Sequence, residues 1–315
     1  MPATECQRRP GDLRPECRLI ALMNQKGGVG KTTTAVNLAA ALAEQGRATL
    51  LVDLDPQAHA SLHVGFSADD NSSTVYDVLL ESRSPETAST CVERALVHVE
   101  DNLWLIPASV DLAAAETELA PAPDRRERLS RALGALQGRF DVVIIDCPPS
   151  LGLLTLNALS AAREVIVPMQ AHFLALQGVG RLLETVSLVG AEANPELRVS
   201  GVVLCMHEET TRHAREVVAD LDRFFADSAG QSVPWAGARV LRPPIRRNIK
   251  LAECPSFGQT IFQYAPSCPG AEDYRALAQG LIAEWDRLLA RRAADEPAPP
   301  VVVSAASREA QTTAS

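Results

Sequence analysis

Residues 18–55 contain a strand, a glycine-rich turn, a helix and a second strand, and this succession constrains the fold more than any other feature. RLIALM (18–23) and ATLLVDLD (48–55) are short apolar runs that predict buried strands. Between them, TTTAVNLAAALAEQG predicts a helix that ends at Gly46. A helix that joins two consecutive strands places them parallel, with a right-handed crossover.

The remainder of the chain repeats this alternation. Further strands are predicted at 102–108, 141–146, 163–169 and 197–206, and further helices at 124–138, 151–161, 174–193, 211–227 and 271–292. Nearly continuous runs of Val, Ile and Leu are typical of strands that are covered on both faces. We therefore predict an α/β fold with a doubly wound, mainly parallel sheet and helices on both faces.

The two ends of the chain differ from its middle in composition. Residues 1–17 are polar and contain Pro and Arg, and residues 293–315 are rich in Pro, Ala and Ser. Both compositions are typical of segments that cannot bury a core. The sequence thus predicts a disordered N-terminal arm at 1–17, one domain at 18–292 and a disordered C-terminal tail at 293–315.

Cysteine usage and hydropathy indicate the compartment. The seven cysteines are scattered and never occur in C-x-x-C spacing, which favours reduced thiols over disulfides or a zinc site. The chain has no apolar run as long as the roughly 18 residues of a spanning helix, and its N-terminus lacks the apolar region of a secretory signal. We therefore expect a cytoplasmic protein with no membrane association.

The turn between the first strand and the first helix has the composition of a phosphate-binding loop. It reads NQKGGVGKTT from residue 24 to residue 33. Glycines let successive backbone N–H groups face phosphate oxygens, and the helix N-terminus adds partial positive charge. Lys31 would bridge the β- and γ-phosphates, and Thr32 would ligate Mg²⁺. The predicted nucleotide-binding residues are Gly27, Gly28, Val29, Gly30, Lys31, Thr32 and Thr33.

The lysine content sets this loop apart from the rest of the chain. Only three of the 30 basic residues are lysines, Lys26, Lys31 and Lys250, and two of these lie in the loop. A compact ammonium fits a phosphate cradle that a planar guanidinium does not. The strict G-x-x-x-x-G-K-[ST] pattern fails because residue 25 is Gln. An additional lysine, Lys26, instead precedes the glycines.

Three aspartates follow predicted strands. Asp53 and Asp55 end the second strand, and Asp146 ends VVIID, four apolar residues followed by an acid, as in a Walker B strand. The carboxyl ends of parallel strands form the edge where ligands bind in open α/β sheets. An acid there can hold Mg²⁺ or orient a water against the γ-phosphate. Asp146 is predicted to hold Mg²⁺ through water, opposite Thr32.

These motifs carry a resemblance to a known family. KGGVGKTT, VDLDPQ and IDCPPSLGLLTLNAL follow one another in order. The sequence resembles the ParA/Soj partition ATPases, members of the deviant Walker A class of P-loop NTPases that also holds MinD. The resemblance runs from about residue 18 to about residue 288 and leaves out only the two ends.

The resemblance implies roles for individual residues. Lys26 would reach across a dimer interface to the partner's nucleotide, so that ATP is buried between two protomers and dimerisation depends on ATP. Asp55 would orient the attacking water, so that the expected catalytic residues are Lys26, Lys31 and Asp55. Asp53 would contribute to the Mg²⁺ site together with Thr32 and Asp146. Met206 would contact the adenine. The expected cofactors are ATP and Mg²⁺.

A cluster of basic residues is the candidate DNA surface. The net charge of −9 argues against a general affinity for nucleic acid, so DNA contact requires a local patch. By resemblance, Thr211-Arg212 and Arg247-Asn248-Ile249-Lys250 match the two DNA-binding segments of ParA/Soj proteins. Position 246 is Arg where the family usually has Pro, and the stretch 228–244 is longer. The predicted DNA-binding residues are Arg212, Arg246, Arg247 and Lys250.

The resemblance predicts a switch ATPase for chromosome or plasmid partitioning. Its ATP-bound homodimer would bind nonspecific DNA and associate with the nucleoid, and a ParB-type partner would stimulate hydrolysis and release. Two alternatives share the chemistry. An orphan ParA-like ATPase would position a protein cargo, and a MinD-like regulator would be recruited to a membrane. The last helix and tail lack the amphipathic character of such a membrane anchor.

Overall fold

The computed structural model describes residues 17–69, 72–171, 175–208 and 212–295, with only the backbone at 175–177, 212–214 and 292–295. The predicted arm at 1–17, except for residue 17, and all but the first three residues of the predicted tail at 293–315 lie outside the described residues. Residues 293–295 instead continue the last helix. By its contacts the chain divides into two units, Met1–Gly280 and Leu281–Ser315. The sheet and the candidate site belong to the first unit. No helix in the described ranges is both long and apolar enough to cross a membrane.

The described part of the chain contains one eight-stranded sheet. Its strands are β1 (Arg18–Leu22), β2 (Thr49–Asp53), β3 (Val97–Glu100), β4 (Leu103–Ile106), β5 (Val142–Asp146), β6 (Glu164–Met169), β7 (Arg198–Leu204) and β8 (Arg239–Leu241). They lie in the order β3-β4-β2-β5-β1-β6-β7-β8. Every neighbouring pair is parallel except β3 and β4, which are antiparallel.

Helices connect and cover these strands. The helices in the described ranges are α1 (Lys31–Glu44), α2 (His59–His63), α3 (Val75–Glu81), α4 (Pro85–Ala95), α5 (Leu112–Leu119), α6 (Arg128–Gly134), α7 (Leu153–Ala161), α8 (Ala175–Glu192), α9 (Arg212–Ser228), α10 (Ile249–Glu253), α11 (Ile261–Tyr264) and α12 (Pro269–Asp295). A short 3₁₀ turn at Cys254–Phe257 follows α10.

The centre of the sheet is buried on both faces. All five residues of β2 and all five of β5 are buried. Strand side chains alternate between faces, so burial of consecutive residues requires cover on each side. Helix α1, which contacts β2 and β5, supplies part of this cover. The predicted doubly wound, mainly parallel sheet is therefore confirmed.

The sequence analysis missed the short elements. Strands β3 and β8 have four and three residues, and the helices α2 to α5, α10 and α11 have between four and eleven. Segments this short carry too little periodicity to stand out, and their pairing partners decide their conformation. The helix predicted at 124–138 is confined to Arg128–Gly134.

Candidate nucleotide-binding site

The glycine-rich loop lies at the carboxyl edge of the sheet, between the end of β1 and the start of α1. Asn24 fixes its entrance: the Asn24 amide donates to the Pro168 carbonyl at 2.8 Å, and its side-chain oxygen accepts from the Lys26 N–H at 3.0 Å. Gly28 and Gly30 have φ angles of 70° and 94°, a backbone conformation that favours glycine. The loop is thus wrapped by its glycines and anchored to β6.

Helix α1 begins with donor groups directed toward the loop. Its N-cap is Gly30, which has no side chain to accept from the first-turn N–H groups, and no acidic residue lies in that turn. Such an uncapped N-terminus is suited to a phosphate group. Lys31 is buried at the same point with 8% exposure, whereas Lys26 is exposed on the loop. The two lysines therefore occupy different environments.

Asp53 and Asp146 lie side by side at the ends of adjacent strands. They are register partners in the parallel pair of β2 and β5, and both are fully buried. Burial raises the pKa of Asp146, and the negative charge of Asp53 raises it further. The nearby Thr32 hydroxyl and Lys31 ammonium oppose this rise. Two carboxyls packed this closely require a compensating positive charge to be ionised together.

The hydrogen bonds of the two carboxyls differ. Asp53 accepts the N–H and the hydroxyl of Ser61, at 2.8 and 2.7 Å. Neither oxygen of Asp146 accepts a hydrogen bond of regular geometry in the described part of the chain, although the Thr32 hydroxyl lies near enough to lower the pKa of Asp146. A buried carboxylate without a partner is costly unless a cation or water binds it. Asp146 and the neighbouring Thr32 hydroxyl provide the hard oxygen ligands that suit Mg²⁺.

Asp55 lies just beyond β2, which ends at Asp53. The sequence predicted that the second strand would include Asp55, but the strand stops two residues earlier. Its N–H donates to Asp53 Oδ1 at 3.2 Å, and its own Oδ1 accepts from the Gln57 N–H at 3.0 Å. The side chain is held at the same edge as the phosphate loop, with 9% exposure.

A cavity of about 460 Å³ adjoins the phosphate loop. Its lining includes Gly30 and Thr33 from the beginning of α1, and Met206, Ile245 and Asn248 from the segments that follow β7 and β8. A cavity continuous with the first turn of α1 is the right place for the nucleoside of a bound nucleotide. Met206, expected near adenine, lines this cavity, and its contact with adenine stays a prediction.

Gln170, which the sequence analysis did not identify, connects the two sides of this region. Its amide donates to the Gly28 carbonyl at 3.2 Å and contacts the sulfur of Met206 at 3.2 Å. The residue follows β6, and nothing local in the sequence reveals which distant groups it bridges. Ser61 was not identified as a site residue for the same reason, because nothing near it in the sequence indicates that it contacts Asp53.

The basic residues do not share one environment. Arg246 forms a bidentate ion pair with buried Asp273, with Nη2 to Oδ1 at 2.7 Å. Arg247 pairs with Glu208 at 3.0 Å and remains 72% exposed. Lys250 pairs with Glu253 at 2.9 Å and remains 45% exposed. Arg212 begins α9, and its side chain lies outside the described residues.

Comparison with known proteins places this site in a family. The AAA domain family matches residues 17–199. The chain is 46% identical to "Chromosome-partitioning ATPase Soj" of Thermus thermophilus, over 86% of this chain and 98% of that protein. It is 42% identical to "Sporulation initiation inhibitor protein Soj" of Bacillus subtilis, over 84% of this chain and 98% of that protein.

A solved structure agrees in fold and sequence. The chain is similar to a Mycobacterium smegmatis protein named cobyrinic acid a,c-diamide synthase, crystallised with an ATP analogue and magnesium. The identity is 41%, the coverage is 86% of this chain and 96% of that one, and the TM-score is 0.68. With the phosphate loop and the paired strand-end aspartates in place, the chain belongs to the Soj/ParA family of chromosome-partitioning ATPases.

Proposed function

We propose that the chain is a dimeric switch ATPase for chromosome or plasmid partitioning. It binds ATP and Mg²⁺, dimerises around the nucleotide, and holds nonspecific DNA while ATP remains intact, which associates it with the nucleoid. A ParB-type partner stimulates hydrolysis and releases it. The observation that carries the proposal is the pair of lysines on one loop, one buried at the helix N-terminus and the other exposed.

Each residue of the loop has a task in this cycle. Lys31 and the N–H groups of the first turn of α1 bind the phosphates of the protomer's own nucleotide. Lys26 is exposed on the loop surface, where it can reach the nucleotide of a second protomer. The ammonium of Lys26 then stabilises the negative charge that develops during phosphoryl transfer.

The strand-end carboxyls prepare the reaction. Thr32, Asp146 and Asp53 would hold Mg²⁺, which neutralises charge on the β- and γ-phosphates. Asp55 orients the attacking water, and its contact with the Gln57 N–H fixes the carboxylate for that task. Met206 packs beside the nucleoside.

Of the four predicted DNA-binding residues, the proposed DNA surface keeps Arg247, Lys250 and Arg212, while the fourth, Arg246, is paired with buried Asp273. Arg247 and Lys250 are exposed, and their ion pairs lie at the surface, where such pairs contribute little stability. They can therefore exchange a carboxylate for a phosphate at low cost. The net charge of −9 suits a partner that approaches with a basic segment.

Retention on DNA tests the proposal. The Asp55→Ala variant should hydrolyse ATP poorly and stay in the ATP-bound state, so it should be retained on nonspecific duplex DNA at low salt when ATP and Mg²⁺ are present. The Lys31→Ala variant, which cannot hold ATP, is the control. If Asp55→Ala shows no retention under these conditions, the DNA role is wrong.

The name of the Mycobacterium smegmatis structure describes a different reaction, amide synthesis on cobyrinic acid. A partitioning ATPase and such a synthase differ in what stimulates their ATP turnover. A partitioning ATPase responds to DNA together with a basic partner protein. A cobyrinic acid a,c-diamide synthase responds to cobyrinic acid. Measuring ATPase activity with each set of additions separates them.

A further inference from the structure

Arg246 joins the loop after β8 to the beginning of α12. Its backbone N–H donates to Asp273 Oδ2 at 2.9 Å, and its guanidinium donates to both oxygens of the same carboxylate at 2.7 to 3.0 Å. Asp273 is 5% exposed, so its charge is compensated mainly by this one arginine.

The neighbour of Asp273, Tyr274, lines the cavity and contacts α1. The hydroxyl of Tyr274, fully buried on α12, lies 3.1 Å from Thr34 Oγ1. Thr34 belongs to α1, four residues after the N-cap that begins the phosphate site. Two consecutive residues of α12 thus contact the two elements that flank the nucleoside cavity.

The contacts of the loop converge on the cavity. The Ile245 N–H donates to the Leu204 carbonyl at 2.8 Å, and the His207 N–H donates to the Ile245 carbonyl at 2.9 Å. These bonds extend β7 beside Met206, while Arg246 and Tyr274 both line the cavity. The position of residues 245–248, which line the cavity, therefore depends on backbone hydrogen bonds to β7 and on the side-chain hydrogen bonds between Arg246 and Asp273 of α12.

We propose that Asp273 is a positioning residue for nucleotide binding, which acts through Arg246 to hold residues 245–248 as the wall of the nucleoside cavity. The inference rests on the proposed function, since it places the nucleoside in this cavity. It assigns Arg246 to the cavity wall and removes it from the DNA surface. A charge-assisted, bidentate pair to a buried carboxylate is the strong kind of hydrogen bond that can fix a loop.

The Asp273→Asn variant tests this role, because the amide keeps the size of the side chain but loses its charge. The KM for ATP should rise about 10-fold while kcat stays within about 2-fold, as expected when a binding contact outside the reacting groups is lost. Inorganic tripolyphosphate, which lacks the nucleoside, should inhibit variant and parent with the same inhibition constant. A KM equal to that of the parent would overturn the proposal, and so would an equal loss for tripolyphosphate.

The Glu44→Gln variant is the matched control. Glu44 accepts a bidentate pair from Arg275, on the same helix as Asp273, at 2.7 and 2.9 Å. The arginine that it holds, Arg275, is absent from the lining of the cavity, whereas the arginine that Asp273 holds, Arg246, belongs to that lining. The same carboxylate-to-amide change at Glu44 should therefore leave KM unaltered. A similar rise of KM in both variants would show a general loosening of α12 and contradict the proposal.

Two further measurements keep the test decisive. If Asp273→Asn fails to fold, Arg246→Ala replaces it, since that side chain is about half exposed and its removal should show the same split between KM and kcat. Arg246→Lys, which keeps the positive charge but lacks the planar guanidinium, should give an intermediate KM.

If the unmutated chain binds no ATP, the proposed function itself fails. If it binds ATP and the variants match it, only the positioning role fails.

Discussion

Ser61 donates two hydrogen bonds to one carboxylate oxygen of Asp53, from its N–H at 2.8 Å and from its hydroxyl at 2.7 Å. The same hydroxyl accepts from the Ala108 N–H at 3.0 Å, just after β4. Burial raises the pKa of Asp53, and the bonds from Ser61 counteract the rise. Ser61 thus favours the charged form of a carboxyl that we assign to the magnesium site, and it connects β2 to β4.

The Ser61→Ala variant should therefore be less stable. It removes a donor to Asp53 and leaves the Ala108 N–H without its acceptor, which should lower the free energy of unfolding by about 2 kcal/mol. Urea denaturation measures the difference. Ser82→Ala is the control, because Ser82 is equally buried but its hydroxyl, among the residues that the structure describes, contacts only the Cys91 sulfur, at 3.3 Å. Equal losses in the two variants would contradict the assigned role of Ser61.

The two loop lysines should separate binding from assembly. Lys31→Ala should abolish ATP binding, because it removes the buried ammonium at the start of α1. Lys26→Ala should bind ATP with nearly the parent affinity but fail to dimerise and to hydrolyse it. Nucleotide titration and sedimentation with ATP and Mg²⁺ measure both properties. If Lys26→Ala assembles and turns over ATP like the parent, the nucleotide is not shared between protomers.

The DNA surface makes a prediction about salt. Each phosphate contact that is lost should reduce the slope of log affinity against log salt by about 0.9. Arg247→Ala and Lys250→Ala should each show this change on any duplex sequence. Arg246→Ala should leave the slope unchanged at saturating ATP, because its guanidinium is committed to Asp273. A reduced slope of log affinity against log salt in Arg246→Ala would show that Arg246 contacts DNA phosphate and would contradict this assignment.

The sequence predicted those parts of the site that are local in the chain. The loop from Asn24 to Thr33 follows a strand and opens a helix, so its glycines and lysines could be interpreted without knowledge of any other segment. The central strands, with all residues buried, were equally evident. The fold class and the positions of Asp53 and Asp146 follow from these runs.

Contacts between distant segments could not be predicted. Asp273 meets Arg246 across 27 positions, and Gln170 meets Gly28 across 142. Nothing in the letters near either residue indicates its partner. Arg246 illustrates the consequence: composition grouped it with the exposed arginines, and only the fold shows that it faces a buried carboxyl. The short strands β3 and β8 were missed because their neighbours in the sheet define them.

His63 should make stability depend on pH. It is 1% exposed on α2, its Nε2 lies 3.4 Å from Cys254 Sγ, and burial lowers its pKa from 6.5 to about 4. Between these values the unfolded chain binds the proton and the folded chain does not. The contribution of neutral His63 is therefore complete above about pH 6.5 and is lost as the pH falls toward 4, by about 3 kcal/mol at most.

Urea denaturation of the parent and of His63→Gln across this range measures the contribution. The difference in the free energy of unfolding between them should shrink as the pH falls. Below pH 6.5 His63 is protonated in the unfolded parent and must lose this proton on folding, whereas the variant has no such group. His59→Gln, on the exposed side of the same helix, is the control for loss of a histidine. A difference that is constant between pH 7 and pH 4 would contradict the assignment.

Replacement by alanine should have different effects at two glycines of the phosphate loop. A Cβ at Gly30 would lie 3.2 Å from Cys205 Cβ and 3.3 Å from its sulfur, and the residue has a φ of 94°. A Cβ at Gly27 would meet no atom within 4 Å. Gly30→Ala should therefore distort the loop within one protomer, with a loss of about 1 to 3 kcal/mol in stability and weaker ATP binding.

Gly27→Ala should leave the single protomer intact. Its free energy of unfolding should change by less than about 0.5 kcal/mol, and it should bind ATP like the parent. If two phosphate loops face each other across the nucleotides, however, the added methyl group stands in the contact between them. ATP-dependent dimerisation, measured by sedimentation, should then be at least about 10-fold weaker, since packed interfaces tolerate an added group poorly. A Gly27→Ala variant that dimerises normally with ATP would mean that the loops do not meet.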